Sequence, residues 1–230
     1  MTLIEAVKAR HSVRKYIDRP LPEAIIKELE ETVAQVNREG HLHIQLVTRE
    51  PRGFGGRMAY GTFSGVSSYF VAAGPKSGDL EEKIGYYGEK LVLKAQQLGL
   101  NTCWAGLTYN KIPGTYELDD NEKIVCYIAL GYGQTQGTER SHKKLEELSN
   151  VSDATPQWFR AGVEAAQLAP TAVNQQKFYI EYLGTDGTSG KPQVSIRSRF
   201  SMVGYTKTDL GIVRLHFEIG AGIDNFEWVK

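Results

Sequence analysis

The 230 residues balance 27 Lys and Arg against 27 Asp and Glu, with 41% hydrophobic and 23% charged residues. Such a chain can bury a sizeable core in one or two globular units, and its zero net charge offers no broad basic field for nucleic acid or an anionic membrane. Its two cysteines, Cys103 and Cys126, fit neither a disulfide framework nor a zinc-ligand spacing, and no run of about 18 apolar residues exists to span a membrane.

The opening MTLIEAVKAR carries Glu5 and Lys8 where a signal peptide has an apolar core, so the cytoplasm is the expected compartment. Thr2-Leu-Ile-Glu5 is a capping box that opens a short helix ending near Arg10, with Ile4 and Val7 on one face. A second helix follows Pro22, a first-turn position that tolerates proline, with Ile25, Ile26, Leu29, Val33 and Val36 at helical spacing. His43–Thr48 is a predicted strand, Arg52–Gly65 a glycine-rich loop, and Ser67–Gly74 a second strand. Tyr87, Leu91, Ala95 and Leu98 mark a third helix, stopped by Gly99. Lys123–Tyr132 is apolar and β-branched enough for a central buried strand. A polar connection or hinge spans Gly133–Asn150.

Pro156 then opens a helix with Trp158, Phe159, Val163 and Ala166, which Pro170 ends. KFYIEYL is a strand, GTDGTSGKP a turn, and Gln193–Phe200 a half-buried strand. Thr208–Gly222 is a last helix with Leu210, Val213 and Phe217 on one face. Pro22–Val47 matches Pro156–Glu181 without a gap, and the eleven-residue stretch from Leu91 matches that from Ile212. The match is one of pattern, open to two readings: any two α+β segments look alike, or two related halves pack about a pseudo-twofold axis.

Three segments could carry chemistry. ARHSVRKY, Ala9–Tyr16, gathers Arg10, His11, Arg14 and Lys15 beyond a helix C-terminus. There the cations either compensate the helix dipole or hold an anion, which at that end needs explicit cations because helix amides are unavailable. APTAVNQQKF places Thr171, Asn174, Gln175 and Gln176 after a helix end, where amides can pair with donor and acceptor edges of a heterocycle, or form an ordinary connecting loop. GLNTCWAGL offers Trp104 as a wall and small Ala105 and Gly106 for close backbone approach to a flat ligand, or plain core. The glycines of GFGGRMAYG lack the strand-then-helix frame of a dinucleotide fingerprint.

Together the segments resemble the FMN-dependent nitroreductase family, in a fused form similar to the Thermotoga-type nitroreductases. That family's R-x-S-x-R stands here as Arg10, Ser12 and Arg14, with His11 between them. Its A-P-S-x-x-N-x-Q-P-W loop stands as Ala169, Pro170, Thr171, Asn174 and Gln176, with Ala172 at an open position, Thr171 in place of Ser, and Lys177 and Phe178 in place of Pro-Trp. Its L-G-x-x-T-C-W-I-G-G segment stands one residue shorter as Leu98, Gly99, Thr102, Cys103, Trp104, Ala105 and Gly106, followed by Leu107. A basic stretch after the central strand supplies Arg140 and His142, with Lys143 nearby. The resemblance implies an α+β nitroreductase-like fold, with a central, mostly antiparallel sheet flanked by helices. It implies FMN, with Arg10, His11, Ser12, Arg14, Arg140 and His142 at the phosphate end. Trp104, Ala105, Gly106, Leu107, Pro170, Thr171, Ala172, Asn174 and Gln176 would complete the pocket, and the Ala105–Gly106 backbone would meet flavin N5. Hydride chemistry on the flavin needs no catalytic side chain.

The family carries its A-P-S loop after the second helix, but here VNREGHLHIQ occupies that place and the loop follows the helix at Pro156 instead. No R-x-S-x-R precedes that helix. This distribution is what a single-chain pseudo-dimer needs, with halves at 1–147 and 148–230 and one flavin per chain. The implied activity is an NAD(P)H oxidoreductase passing a hydride to nitroaromatic, quinone or similar small-molecule acceptors in ping-pong order. The expected state is a monomeric pseudo-dimer or weak homodimer without nucleic-acid, membrane or metal partners. Related flavin enzymes of dehalogenase or flavin-cleaving type, a flavin binder without turnover, and a cofactor-free interaction domain are the alternatives.

Overall fold

A computed structural model describes residues 1–55, 63–185 and 190–229. The expected glycine-rich loop at 56–62 and the turn at 186–189 lie outside the described residues. Helix α1 (Leu3–Ala9) begins on its capping box, with Thr2 Oγ1 accepting from the Glu5 amide at 3.3 Å and the Glu5 carboxylate accepting from the Thr2 amide at 2.8 Å. It ends at Arg10, where the backbone becomes extended. Helix α2 (Glu23–Gly40) follows Pro22, which stands at the N-cap and needs no intrahelical N–H there. Its Leu29, Val33 and Val36 are buried.

The first sheet contains β1 (Gln45–Val47), β2 (Ser68–Pro75), β3 (Asn101–Ala105) and β4 (Glu122–Gly131), in the order β1-β2-β4-β3 with every pair antiparallel. Strand β4 is central, as its β-branched run predicts. Strand β3 is new relative to the sequence reading, which leaves Gly99–Leu107 as pocket wall or core. Its pattern is too short and polar to announce a strand, and pairing supplies what propensity lacks. On its free edge lies the basic N-terminal segment: Ser12 bridges to Thr102, and the Val13 amide donates to Thr102 O at 3.0 Å. Tyr16 continues this edge toward Gly133. Helix α3 (Leu80–Gln97) connects β2 to β3 and ends at Leu98, with Gly99 in the left-handed region at φ 77°.

The connection after β4 is mostly irregular and contains one short helix, α4 (Leu145–Leu148). Helix α5 (Gln157–Gln167) leads to a second sheet of β5 (Phe178–Gly184), β6 (Gln193–Ser198) and β7 (Glu227–Val229), with α6 (Thr206–Ala221) between β6 and β7. The β5–β6 pair is antiparallel and β6–β7 is parallel, so the sheets are mostly, not wholly, antiparallel. The terminal strand β7 is also absent from the sequence reading. Among the described residues, no helix is long and apolar enough to cross a membrane.

Helices α3 and α6 cross at two glycines. A Cβ on Gly85 would collide with the Thr208 carbonyl and the Ile212 amide, and one on Gly211 with the Glu82 carbonyl and the Tyr86 amide. The contacts are reciprocal: Gly85 answers Gly211, Glu82 answers Thr208, and Tyr86 answers Ile212. Ile212 therefore corresponds to Tyr86 at this crossing, whereas the sequence pattern sets it against Leu91. One core fills the space between α2, α3 and the first sheet, around Leu29, Phe70, Ile84, Leu91 and Ile128. Another surrounds Phe159, Phe178, Val213 and Phe217. Trp104 packs against both.

Candidate functional site

Two neighbouring cavities share Ser12, Arg140, Pro170 and Thr171 in their walls. The smaller, about 180 Å³, is also lined by Arg10, His11, His142 and Asn174. The larger, about 330 Å³, adds Arg14, Trp104, Ala105, Gly106, Leu107 and Ala172. The motif residues thus converge from distant parts of the chain. Arg10–Arg14 is held along β3, Trp104 and Ala105 end β3, and the other segments meet through hydrogen bonds. Asn174 Nδ2 donates to Ser141 O at 2.9 Å, and Lys143 Nζ donates to Gln175 O and Gln176 O at 2.9 Å each. A third cavity of about 1030 Å³, beside Lys15, Arg49 and Phe54, includes none of the motif residues.

Gln176 is the exception. It is 2% exposed and lines neither cavity. Its side-chain oxygen accepts from the Lys143 amide and its nitrogen donates to Gln167 O, both at 2.9 Å. The side chain secures the loop from behind. Gly106 also has a local explanation: a Cβ there would lie 2.5 Å from the Tyr205 ring, so this phenol makes the close approach that the glycine permits.

The small cavity sets Lys8, Arg10 and Arg140 against one acid, Glu139. Arg10 is 8% exposed, with Nη2 donating to Leu168 O at 3.4 Å and Nε left without a hydrogen bond. Burial lowers its pKa, Glu89 opposes that shift, and Arg140 adds to it. Burial and then the Arg10 charge lower the pKa of His11. His142 Nδ1 is a second buried nitrogen without a partner, and Arg14 and Arg140 form no ion pair among the described residues. Donors left open and like charges held together suit an anion with several acceptor oxygens.

The larger cavity has an apolar mouth, with Leu107, Val173 and Val203 exposed. Its polar floor comes from α6, whose Thr208 Oγ1 is buried without a partner. Asp209 is also buried there, accepting from the Ala172 amide at 2.9 Å and from Gln175 Nε2 at 2.7 Å. Burial raises its pKa to about 6 against the pull of those two bonds. Asp209 clamps a strained loop: Val173, Asn174 and Gln176 have φ of 46°, 57° and 44°. The left-handed region is costly for a β-branched valine, on the order of 1–3 kcal/mol. Thr171 Oγ1 helps by accepting from the Gln176 amide at 3.0 Å.

Thr208 and Asp209 were not legible as site residues, because they belong to a helix read for its apolar face, and Tyr205 was not because it stands just before that helix, at its N-cap. Nor were Glu89 and His216, which meet beneath the small cavity. A usable signal existed for these two, since each is an ionisable residue among the buried positions of its helix.

Residues 2–221 match the family described as "Putative TM nitroreductase". The chain belongs to this nitroreductase family. No curated protein matches it. Among solved structures, it is similar to a Thermotoga maritima protein described as a putative nitroreductase, with 24% identity and a TM-score of 0.64 over 96% of this chain and 83% of that one. It is also similar to a Desulfovibrio desulfuricans protein described as a putative nitroreductase in complex with FMN, with 14% identity and a TM-score of 0.53 over 68% of this chain and 99% of that one. At these identities the likenesses establish the nitroreductase fold, mixed helix and mostly antiparallel sheet.

Proposed function

We propose that this nitroreductase-family chain is a cytoplasmic FMN-dependent oxidoreductase, taking a hydride from NAD(P)H and passing it to nitroaromatic, quinone or similar acceptors. The carrying observation is the paired cavity. Its small end offers an unfilled cationic donor at Arg10 and an unpartnered ring nitrogen at His142, and its large end joins a backbone edge at Ala105–Gly106 to apolar walls. These residues fit FMN, whose phosphate needs the first and whose flat ring needs the second.

Arg10, His11, Arg14, Arg140 and His142 would hold the phosphate, with Ser12 as a hydroxyl donor. Thr171 and Asn174 would close the pocket over the polar chain between phosphate and ring. The Ala105, Gly106 and Leu107 backbone would line the ring edge, with Trp104 as a wall and Pro170 and Ala172 on the loop side. Leu107, Val173 and Val203 would keep water from the mouth. When bound, FMN would supply the position that takes and gives the hydride, so no catalytic side chain is required. One open face would serve NAD(P)H and the acceptor in turn, which gives ping-pong order.

The phosphate end draws on 1–147 and the closing loop on 148–230, so each chain would hold one flavin as a pseudo-dimer, monomeric or weakly dimeric. The reciprocal glycine crossing of α3 and α6 supports this reading. The test is an absorption spectrum with flavin stoichiometry, followed by anaerobic NAD(P)H. One FMN per chain, bleached within seconds, is expected. Persistent yellow colour would mark a binder without turnover, and a colourless protein unable to take up FMN would sink the flavin reading.

A further inference from the structure

Beneath the small cavity, three side chains, Arg10, Trp104 and His216, share one carboxylate, that of Glu89. Glu89 is fully buried on α3, and His216 is fully buried on α6. Glu89 Oε1 lies 2.9 Å from His216 Nε2 and 3.8 Å from Arg10 Nε. Glu89 Oε2 accepts from Trp104 Nε1 at 2.9 Å. The other histidine nitrogen, Nδ1, lies 3.2 Å from Ala165 O.

The partners of the two ring nitrogens say where hydrogens are needed if both contacts are hydrogen bonds. A carbonyl oxygen can only accept, so His216 Nδ1 carries a hydrogen. Nε2 faces a carboxyl oxygen, and that contact also needs a hydrogen between its two heavy atoms. Either the ring is an imidazolium beside a carboxylate, or a neutral ring accepts from a carboxylic acid. In both cases Glu89 and His216 together carry no net charge. Arg10 therefore keeps its own positive charge, although an acid oxygen lies 3.8 Å from its Nε.

We propose that His216 is a positioning residue for the phosphate end of the flavin site: by neutralising Glu89, it leaves the charge of Arg10 free for the phosphate. This rests on the flavin reading above. It assigns a role to a residue that touches neither cavity, and it explains why an arginine facing an anion can sit so close to a buried acid. Without the histidine and the proton it shares with the acid, Glu89 would satisfy Arg10 internally, and a phosphate would have to compete with it.

The test divides Kd for riboflavin, the same flavin without its phosphate, by Kd for FMN. Their ratio isolates the phosphate contribution. His216→Gln keeps a donor toward Glu89 but removes the charge, so the ratio should fall on the order of tenfold. Riboflavin affinity should change little. Glu89→Gln removes the nearer anion, and its amide can donate to His216 and accept from Trp104, so the ratio should rise. The double variant should recover the ratio lost in His216→Gln.

A purely structural role predicts something else: FMN and riboflavin weakening in parallel, with the ratio fixed. That result overturns the proposal, as does a fall in the ratio on Glu89→Gln. The Glu89→Gln measurement decides alone if His216→Gln does not fold. A wild-type protein that binds neither flavin overturns the flavin reading beneath it, an outcome distinct from an unmoved ratio.

Discussion

The two halves differ most where the first has helix and the second has loop. Helix α2 runs for 18 residues and α5 for only 11, yet β1 and the matching part of β5 fall at the same sequence spacing. What α2 spends on its last two turns, the second half spends on Pro170–Gln176, the strained loop that reaches both cavities. By contrast, α3 and α6 meet in reciprocal fashion through Gly85 and Gly211. Where the halves agree, the shared feature is packing. Where they differ, the difference builds the site.

The agreement can be broken first. Gly85→Ala and Gly211→Ala each drive a methyl group into backbone of the facing helix. Each should cost about 3 kcal/mol or more in urea unfolding. The double variant should cost less than the sum, because one separation of the helices relieves both clashes.

Next comes the charge asymmetry between the halves. Arg140→Glu should weaken FMN binding by about a hundredfold in a fluorescence titration, since it replaces a charged donor by a repelling acid. An unchanged affinity would remove the phosphate end from the small cavity.

The clamp between loop and α6 is sharpened by pH. The pKa of Asp209 is about 6, raised by burial above the ordinary carboxylate value. Between roughly pH 4 and 6 the folded state retains a proton that the unfolded state has lost, so stability falls as pH rises through that window. Asp209→Asn lacks this titration. The unfolding free energy of wild type relative to the variant should drop by about 2–3 kcal/mol from pH 4 to pH 7.

The smallest effects separate two amides of one loop. Gln176→Ala leaves the Lys143 amide and Gln167 carbonyl unpaired, and should cost about 2 kcal/mol of stability. Asn174→Ala touches the small cavity, and should cost about 1 kcal/mol of FMN affinity beside about 1 kcal/mol of stability, the latter from the lost bond to Ser141 O at a left-handed backbone position. Reversed outcomes would exchange the structural and ligand-facing assignments.

Much of this was legible in short-range pattern. The Thr2–Glu5 capping box, the helix starts after Pro22 and Pro156, the buried strand β4 and the cationic Arg10–Arg14 segment each depend on neighbours within a few residues. Strand β3 was not legible, because its support comes from β4 on one side and Ser12–Val13 on the other. The bonds of Gln176 to Lys143 and Gln167 were not legible for a related reason. An amide's chemistry is visible in sequence, but whether it is already spent depends on which carbonyls and amides fold against it.

The sequence by itself determined the element types, the family resemblance and the identity of the cations, all of which reside in local spacing and side-chain chemistry. Only the tertiary structure decided that Glu89 meets His216 beside Arg10, that Asp209 clamps the loop, and that Tyr205 covers Gly106. Burial and pairing are properties of long-range contacts. They set the charge and the free donors of a side chain, and no local spacing encodes them.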